Sequence, residues 1–426
     1  MVLPVGKATA PRMKDRTMPN LLIVGGGYAG LWAAMAAARR AADANEALNI
    51  RLLSKDPYLT HRPRLYERNP QDMRSALAPV LAPIDVDLAL GTVTAIDPVR
   101  QQVQATGEDG AAHTYDYDAL ILAAGSVLRP PPINVVKGRT WSVDSMSAAI
   151  ALDQQLKQIM DGSDSPTVVI IGAGFTGIEL ATEMRSRLAE HGPTDWADRA
   201  GAARVILADA AATVSPDLGP GPRPHILEAL EAAGVEVRLN TTVTAIDGER
   251  VSLGDGEKLT SRAVIVTTGA QANSLAGQLA TALNLKTDPS GRLMVDEDLA
   301  VIGAQSIFAA GDIAHAMTDP GSKNGNDDGN GAHPALMSCQ HAMPMGKFAG
   351  HNAAAHLLGH DMTPYEQTRY VTCLDLGPWG AVFTTGWDRQ VEMTGAEAKA
   401  RKQFIMNEVI YPPSNDRTAI LEAGGL

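Results

Sequence analysis

Two copies of one short pattern constrain this chain more than anything else in it. Residues 21–30 read LLIVGGGYAG and residues 168–177 read VVIIGAGFTG, so that Gly25, Gly27 and Gly30 recur as Gly172, Gly174 and Gly177. Each copy follows a run of branched aliphatics and opens a segment of helical composition, LWAAMAAARR after the first and IELATEMRSRL after the second. In such a turn one glycine reverses the chain, the next lets backbone approach a pyrophosphate, and the third lets helix pack on strand. The helix then presents unpaired N–H groups and a positive dipole end to the phosphates. One copy is a weak signal. Two, in the same strand-to-helix context, predict an α/β protein with two nucleotide-binding units.

The segments between them fit that reading. Asn49 to Leu53 is the partner strand of the first unit, and it ends on Ser54 and Lys55 where an acid usually holds the ribose hydroxyls. Arg204 to Ala208 is the partner strand of the second unit and ends on Asp209, which suits a ribose diol and repels a 2′-phosphate, favouring NADH over NADPH. The interval from Gly177 to Asp209 is long for this motif, so an insertion is expected around His191 to Ala203. Buried strands end at Ala124-Gly125, at Thr268-Gly269 and at Gly311-Asp312. The predicted architecture is two Rossmann-like domains, the second inserted in the first, followed by a C-terminal β-rich and helical interface region. The expected division is an N-terminal arm (1–18), the first domain in two parts (19–145 and 291–360), the inserted domain (146–290) and the interface region (361–426).

Composition narrows the partners. A formal charge of −12 over 426 residues argues against nucleic acid and gives no general attraction to membranes. The two cysteines make no disulfide framework, which favours a reducing cytoplasm. No apolar run reaches spanning length, and the first 18 residues lack the apolar core of a secretion signal. The Asp- and Asn-rich stretch Asp319 to Gly331 lacks the twelve-residue calcium pattern with its terminal Glu, so no metal is expected and a surface loop is. The polar segment KDPYLTHRPRLYER, from Lys55, is read equally as a solvated loop or as a loop beside a cofactor. His333 to Gly359 has helical composition, and Pro344 inside it is expected to kink or split the helix.

The paired fingerprints with the later Gly-Asp strand end resemble the two-dinucleotide flavoprotein reductases, and within them the type II NADH:quinone oxidoreductases, from about Leu21 to Val391. The resemblance implies FAD as cofactor, NADH as donor and a quinone-like acceptor. FAD is then expected on Gly25, Gly27, Tyr28, Ala29 and Gly30, with Ser54, Lys55, Arg62, Val93, Ala124, Gly125, Gly311, Asp312, Cys339 and Gln340 beside it. NADH is expected on Gly172, Gly174, Phe175, Thr176, Gly177, Asp209 and Gly269. Glu179 of GFTGIE takes the family's place at the nicotinamide–flavin junction, tied to quinone reduction; without the family it reads as an acid favoured by a helix dipole. The family carries two glutamines four residues apart after Gly-Asp; Gln340 keeps the first, and Pro344 replaces the second. Trp379 and Arg389 are weaker acceptor-side candidates. The family often ends in amphipathic helices on a membrane. Here Ala396 to Tyr411 is basic and then apolar, which leaves open a peripheral contact at the cytoplasmic face, a domain contact and a homodimer. Rival readings are a soluble NADH-dependent reductase of a small molecule or redox protein, a sulfide:quinone oxidoreductase using Cys339 and Cys373, and a flavin sensor without turnover.

Overall fold

The computed structural model describes residues 18–137, 140–160, 166–190, 203–318 and 333–426. The arm before residue 18, residues 161–165, the expected insertion at 191–202 and the Asp/Asn-rich stretch at 319–331 lie outside the described residues.

The first glycine turn joins β1 (Asn20–Val24) to α1 (Tyr28–Ala44), and β2 (Asn49–Ser54) lies parallel to β1. With β3 (Asp87–Leu90), β4 (Ala119–Leu122) and β9 (Ile307–Ala309) they form one sheet in the order β9-β4-β1-β2-β3, every pairing parallel. Its strands read as aliphatic runs because both faces are covered. The second turn repeats the construction: β5 (Thr167–Ile171) leads into α3 (Phe175–Glu190), after the helix α2 (Met146–Met160). β6 (Arg204–Ala208), β7 (Val235–Arg238) and β8 (Ala263–Val266) complete a parallel sheet in the order β7-β6-β5-β8. The predicted excursion after Asp85 is a three-stranded antiparallel meander from Thr92 to Asp116, with its second turn at Glu108-Asp109-Gly110. The chain leaves and re-enters the first sheet beside the antiparallel pair Ser126–Leu128 and Ala270–Ala272.

Small residues set the distance between the first glycine turn and the last long helix, α4 (Cys339–Leu358). Cβ atoms at Gly346 and Gly350 would come within 2.3 Å and 2.1 Å of the carbonyl oxygens of Ala29 and Ala33. Glycine at these two positions therefore lets the helices approach backbone to backbone, which holds α4 against the first half of α1.

Pro344 neither splits nor ends α4. It is the sixth residue of the helix, so the one hydrogen bond it removes is that to the Gln340 carbonyl. That carbonyl accepts instead from Gln367 Nε2 at 3.2 Å. The helix also starts later than composition suggests, at Cys339.

The C-terminal region is an antiparallel sheet of β10 (Val371–Asp375), β11 (Ala381–Thr385) and β12 (Gln390–Thr394), followed by α5 (Gly395–Phe404) and a π-helical turn over Ile405–Val409. The sheet docks on α3 at Gly377, where a Cβ would stand 2.6 Å from the Thr182 carbonyl.

Candidate active site

One cavity of about 2060 Å³ runs between the two parallel sheets and the C-terminal region. A pocket for one small ligand measures about 300–1,000 Å³, so this volume accommodates more than one. Of the residues expected on FAD, on NADH and at their junction, all but Gly30, Gly172, Gly177 and Asp209 line it.

The exceptions are informative. A Cβ at Gly30 would lie 1.8 Å from the Gly25 carbonyl oxygen, and one at Gly177 would lie 1.8 Å from that of Gly172. The third glycine of each motif thus packs helix on turn. The middle glycines, Gly27 and Gly174, both face the cavity, and a Cβ added at either would meet nothing within 4 Å. α1 begins at Gly27 without a side-chain cap, and neither α1 nor α3 has an acid in its first turn, so their terminal N–H groups are left for an anion.

Asp209 is spoken for by the turn itself. Its Oδ2 accepts from the Ala173 N–H at 2.6 Å and its Oδ1 from the Ala211 N–H at 2.7 Å. The carboxylate braces the second glycine turn from behind, and only its remaining lone pairs are available to a ribose.

On the first sheet Ser54 is buried and its hydroxyl donates to the Asp56 carbonyl at 2.7 Å, which leaves the oxygen as an acceptor. The polar segment after it is not a solvated loop. Lys55, Tyr58 and Arg62 all join the cavity wall. Arg62 pairs with Asp144 at 2.6 Å and reaches Asp312 at 3.5 Å, while Ser126 Oγ donates to Asp312 Oδ2 at 2.6 Å. His61, fully buried and pushed down to about 4 by burial, bonds Tyr28 Oη at 2.8 Å and stacks on Tyr411 at 3.9 Å. The segment so ties the cofactor turn to the end of the chain.

The first turn of α4 faces the same space, and the Ser338 hydroxyl at its start is buried with no partner among the described residues. The open glycine faces, the uncapped helix starts and this orphaned hydroxyl fit FAD. Gln340 has a structural task as well. With its amide nitrogen toward the Val371 carbonyl (2.5 Å) and its oxygen toward the Val371 N–H (3.0 Å), it fastens α4 to β10.

Glu179 is the fifth residue of α3 and is 4 % exposed. Its Oε1 accepts from Lys402 Nζ at 2.7 Å and from the Asp375 N–H at 3.0 Å. Lys402, from α5, also donates to the Cys373 carbonyl at 2.9 Å. Burial pushes Glu179 up to about 7 although Lys402 pulls it down. Burial lowers Lys402, but the charge and hydrogen bond of Glu179 outweigh it and hold the ammonium above its usual range. Next to the pair, Asp375 accepts from Tyr66 Oη at 3.1 Å and from Lys399 Nζ at 2.5 Å. Sequence reasoning misses Lys402. The available signal is the Lys399/Lys402 spacing of three, which puts both on one helical face.

Beyond Cys339 and Gln340 the cavity extends between two helical stripes. Met343, Pro344, Lys347 and Phe348 of α4 line it together with Ile405, Met406, Val409 and Ile410 of the π-helical turn and its end. Cys339 and Cys373 are both free thiols, pushed up to about 11 by burial. Trp379 packs beside His225 at 6.0 Å under the second sheet and is absent from the wall, while Arg389 lines the wall near Asp217, by the second glycine turn.

The fold and site define a two-dinucleotide flavoprotein oxidoreductase. The family model described as pyridine nucleotide-disulphide oxidoreductase matches residues 19–346, and the chain belongs to that family. It is 39 % identical over 412 residues to an NADH dehydrogenase-like protein of Mycobacterium tuberculosis, covering 95 % of this chain and 98 % of that one. It is 29 % identical over 345 residues to the type II NADH:quinone oxidoreductase Ndh of the same organism, covering 74 % and 72 %. The structure of NDH2 from Plasmodium falciparum in complex with NADH superposes with a TM-score of 0.77 at 13 % identity, covering 96 % and 97 %, a likeness of fold. The chain is an NADH-dependent flavin oxidoreductase with FAD as cofactor.

Proposed function

We propose that electrons taken from NADH leave through the apolar arm beyond Gln340 to a quinone-like acceptor, in the balance NADH + H⁺ + quinone → NAD⁺ + quinol. The two stripes, Met343–Phe348 and Ile405–Ile410, carry this reading: they give an apolar, planar acceptor a lined path to the α4 terminus. The naming of a relative as a type II NADH:quinone oxidoreductase supports it. We assign cofactor, donor and domain boundaries as the sequence predicts, with the division at 145/146, 290/291 and 360/361.

FAD, when bound, supplies the redox chemistry. The chain's share is placement and charge. The glycine turns and helix starts hold the two pyrophosphates. The α4 start turns its dipole toward negative charge developing at the ring. Glu179 holds a proton at its carboxylate near neutral pH, with the Lys402 ammonium 2.7 Å away to stabilise the anion once that proton leaves. Phe404 and Val409, at the end of α5 and in the π-helical turn, are about half exposed at 50 % and 47 % and suit peripheral contact with a lipid surface. No helix among the described residues is long and apolar enough to cross a membrane.

Anaerobic reduction by NADH followed by mixing with a naphthoquinone, a hydrophilic dye or oxygen tests the reading. The quinone is expected to reoxidise the protein fastest. Equally slow reoxidation by quinone and dye would sink it.

A further inference from the structure

Arg389 is the least satisfied buried cation among the described residues. It is 6 % exposed, and its Nε and Nη1 have no partner there. Its one side-chain hydrogen bond among these residues is long, 3.5 Å from Nη2 to the Asp217 carbonyl, and its guanidinium lies 4.3 Å from the Tyr370 ring centroid. Burial pulls Arg389 below its usual range, the charge of Asp217 offsets only part of that cost, and an anion would complete the site. The backbone at Arg389 is left-handed, φ +58°, a conformation unusual for a residue with a side chain and one that clusters at binding sites.

The guanidinium is also held rigid. It caps a stack in which Tyr370 lies 4.3 Å from Trp387 and Trp387 lies 4.3 Å from His333. His341 of the first turn of α4 also stacks on Tyr370, at 5.2 Å, so the cluster joins α4 to the C-terminal sheet and positions Arg389. Where Arg389 points is set by its neighbours. Asp217 follows Ser215, whose N–H donates to the Ala173 carbonyl inside the second glycine turn at 2.7 Å. Arg389, Asp217, Ser215, Gly174, Phe175 and Thr176 line one stretch of the cavity.

We infer that Arg389 is a binding residue for the donor: it reaches from the C-terminal region over the second glycine turn to the pyrophosphate of NADH, opposite the α3 start. The inference rests on the donor assignment above and deepens it. The C-terminal region then closes the nicotinamide site as well as the acceptor arm, and the pyrophosphate is gripped from both sides, by backbone N–H groups and by a preorganised guanidinium.

The test is a titration of FAD-loaded wild type, Arg389→Met and Arg389→Lys with NADH under anaerobic conditions and with ADP-ribose, which keeps the pyrophosphate and lacks the nicotinamide. Flavin spectra and melting curves report folding. Loss of a charged hydrogen bond predicts weakening of both ligands on the order of 10- to 100-fold in Arg389→Met. A smaller loss is predicted in Arg389→Lys, which keeps the charge without the planar donor set and serves alone if the Met variant does not fold. The acceptor KM is expected to stay unchanged. Weaker NADH with unchanged ADP-ribose would move Arg389 to the nicotinamide end and overturn the inference. Unchanged binding of both, or a rise confined to the acceptor KM, would overturn it too. Wild type that binds neither ligand would sink the donor assignment and this inference with it; wild type that binds both while the variants bind equally well sinks the inference alone.

Discussion

Removing Lys402 or neutralising Glu179 should each destabilise the protein, and doing both should not. The pair is buried, 2 % and 4 % exposed, and its members are 2.7 Å apart. Breaking a buried pair from one side costs about 3–5 kcal/mol, because a charge is left without its partner, whereas losing both charges is near neutral. At roughly 2.1 cal/mol/K of unfolding entropy per residue, a chain this long loses about 3–6 °C in Tm for that cost. At pH 8 and above, where Glu179 is ionised, Lys402→Met and Glu179→Gln are each expected to show that fall by near-UV circular dichroism, and the double variant to recover most of it. The pH dependence follows from the raised carboxyl. Glu179 carries its proton below 4.5 in the folded and unfolded states alike. Between 4.5 and about 7 the folded state keeps a proton that the unfolded state has released. The stabilisation from Glu179 is therefore complete at low pH and is lost as pH rises through 7, by about 3 kcal/mol in all. Glu179→Gln should remove that slope and the corresponding limb near pH 7 in turnover. A double variant as unstable as the sum of the singles, or a slope that survives in Glu179→Gln, would refute the reasoning.

Gly27→Ala should fold like wild type and lose FAD, measured as flavin absorbance per protein, because its Cβ meets open cavity. Gly30→Ala should destabilise by about 1–3 kcal/mol or more, because its Cβ meets the Gly25 carbonyl at 1.8 Å. Asp209→Ala should raise the NADPH-to-NADH ratio of kcat/KM roughly tenfold, about 1.4 kcal/mol, and also weaken both donors, since Ala173 and Ala211 lose their acceptor; an unchanged ratio would refute the ribose assignment. Val409→Asp should raise KM for a naphthoquinone several-fold and leave that for a hydrophilic dye unchanged, and equal effects on both would place the acceptor elsewhere. Gln367→Ala should cost about 1–3 kcal/mol by stranding the Gln340 carbonyl, and less in a Pro344→Ala background that restores the helical N–H, a difference read from paired thermal melts.

The scaffold is legible in the sequence because its instructions are local. Gly25, Gly27 and Gly30 lie within six residues, and their roles as turn, open face and packing contact follow from covalent spacing alone. The same holds for the strand ends at Ala124-Gly125 and Gly311-Asp312. What sequence misreads depends on contacts across the chain. Pro344 predicts a broken α4, and the helix persists because Gln367, 27 residues on from Gln340, takes the orphaned carbonyl. Arg62 reads as a loop residue until Asp144 and Asp312 are brought to it. Ser54 looks like a missing acid; in the structure it is a buried hydroxyl packed on Gly26, where a Cβ would lie within 2.3 Å of its oxygen.

The residues that would govern chemistry are the hardest to find for the same reason. Lys402 stands 223 residues from Glu179, in a helix whose composition is that of a solvated surface, and only the docking of β10 and α5 on α3 makes it a buried counter-charge. Arg389 follows a polar hairpin turn in sequence, and only the fold brings it to the Asp217 carbonyl. Both belong to the C-terminal region, where the resemblance to the quinone oxidoreductases is loosest. Two dinucleotide turns are common to every member of such a family, so they say which cofactors enter. The choice of acceptor has to be made by whatever covers the far end of the ring. On the function proposed above, that cover is the α4 start, the Lys402 helix and the π-helical turn, and substitutions there should redirect electrons without disturbing either glycine turn.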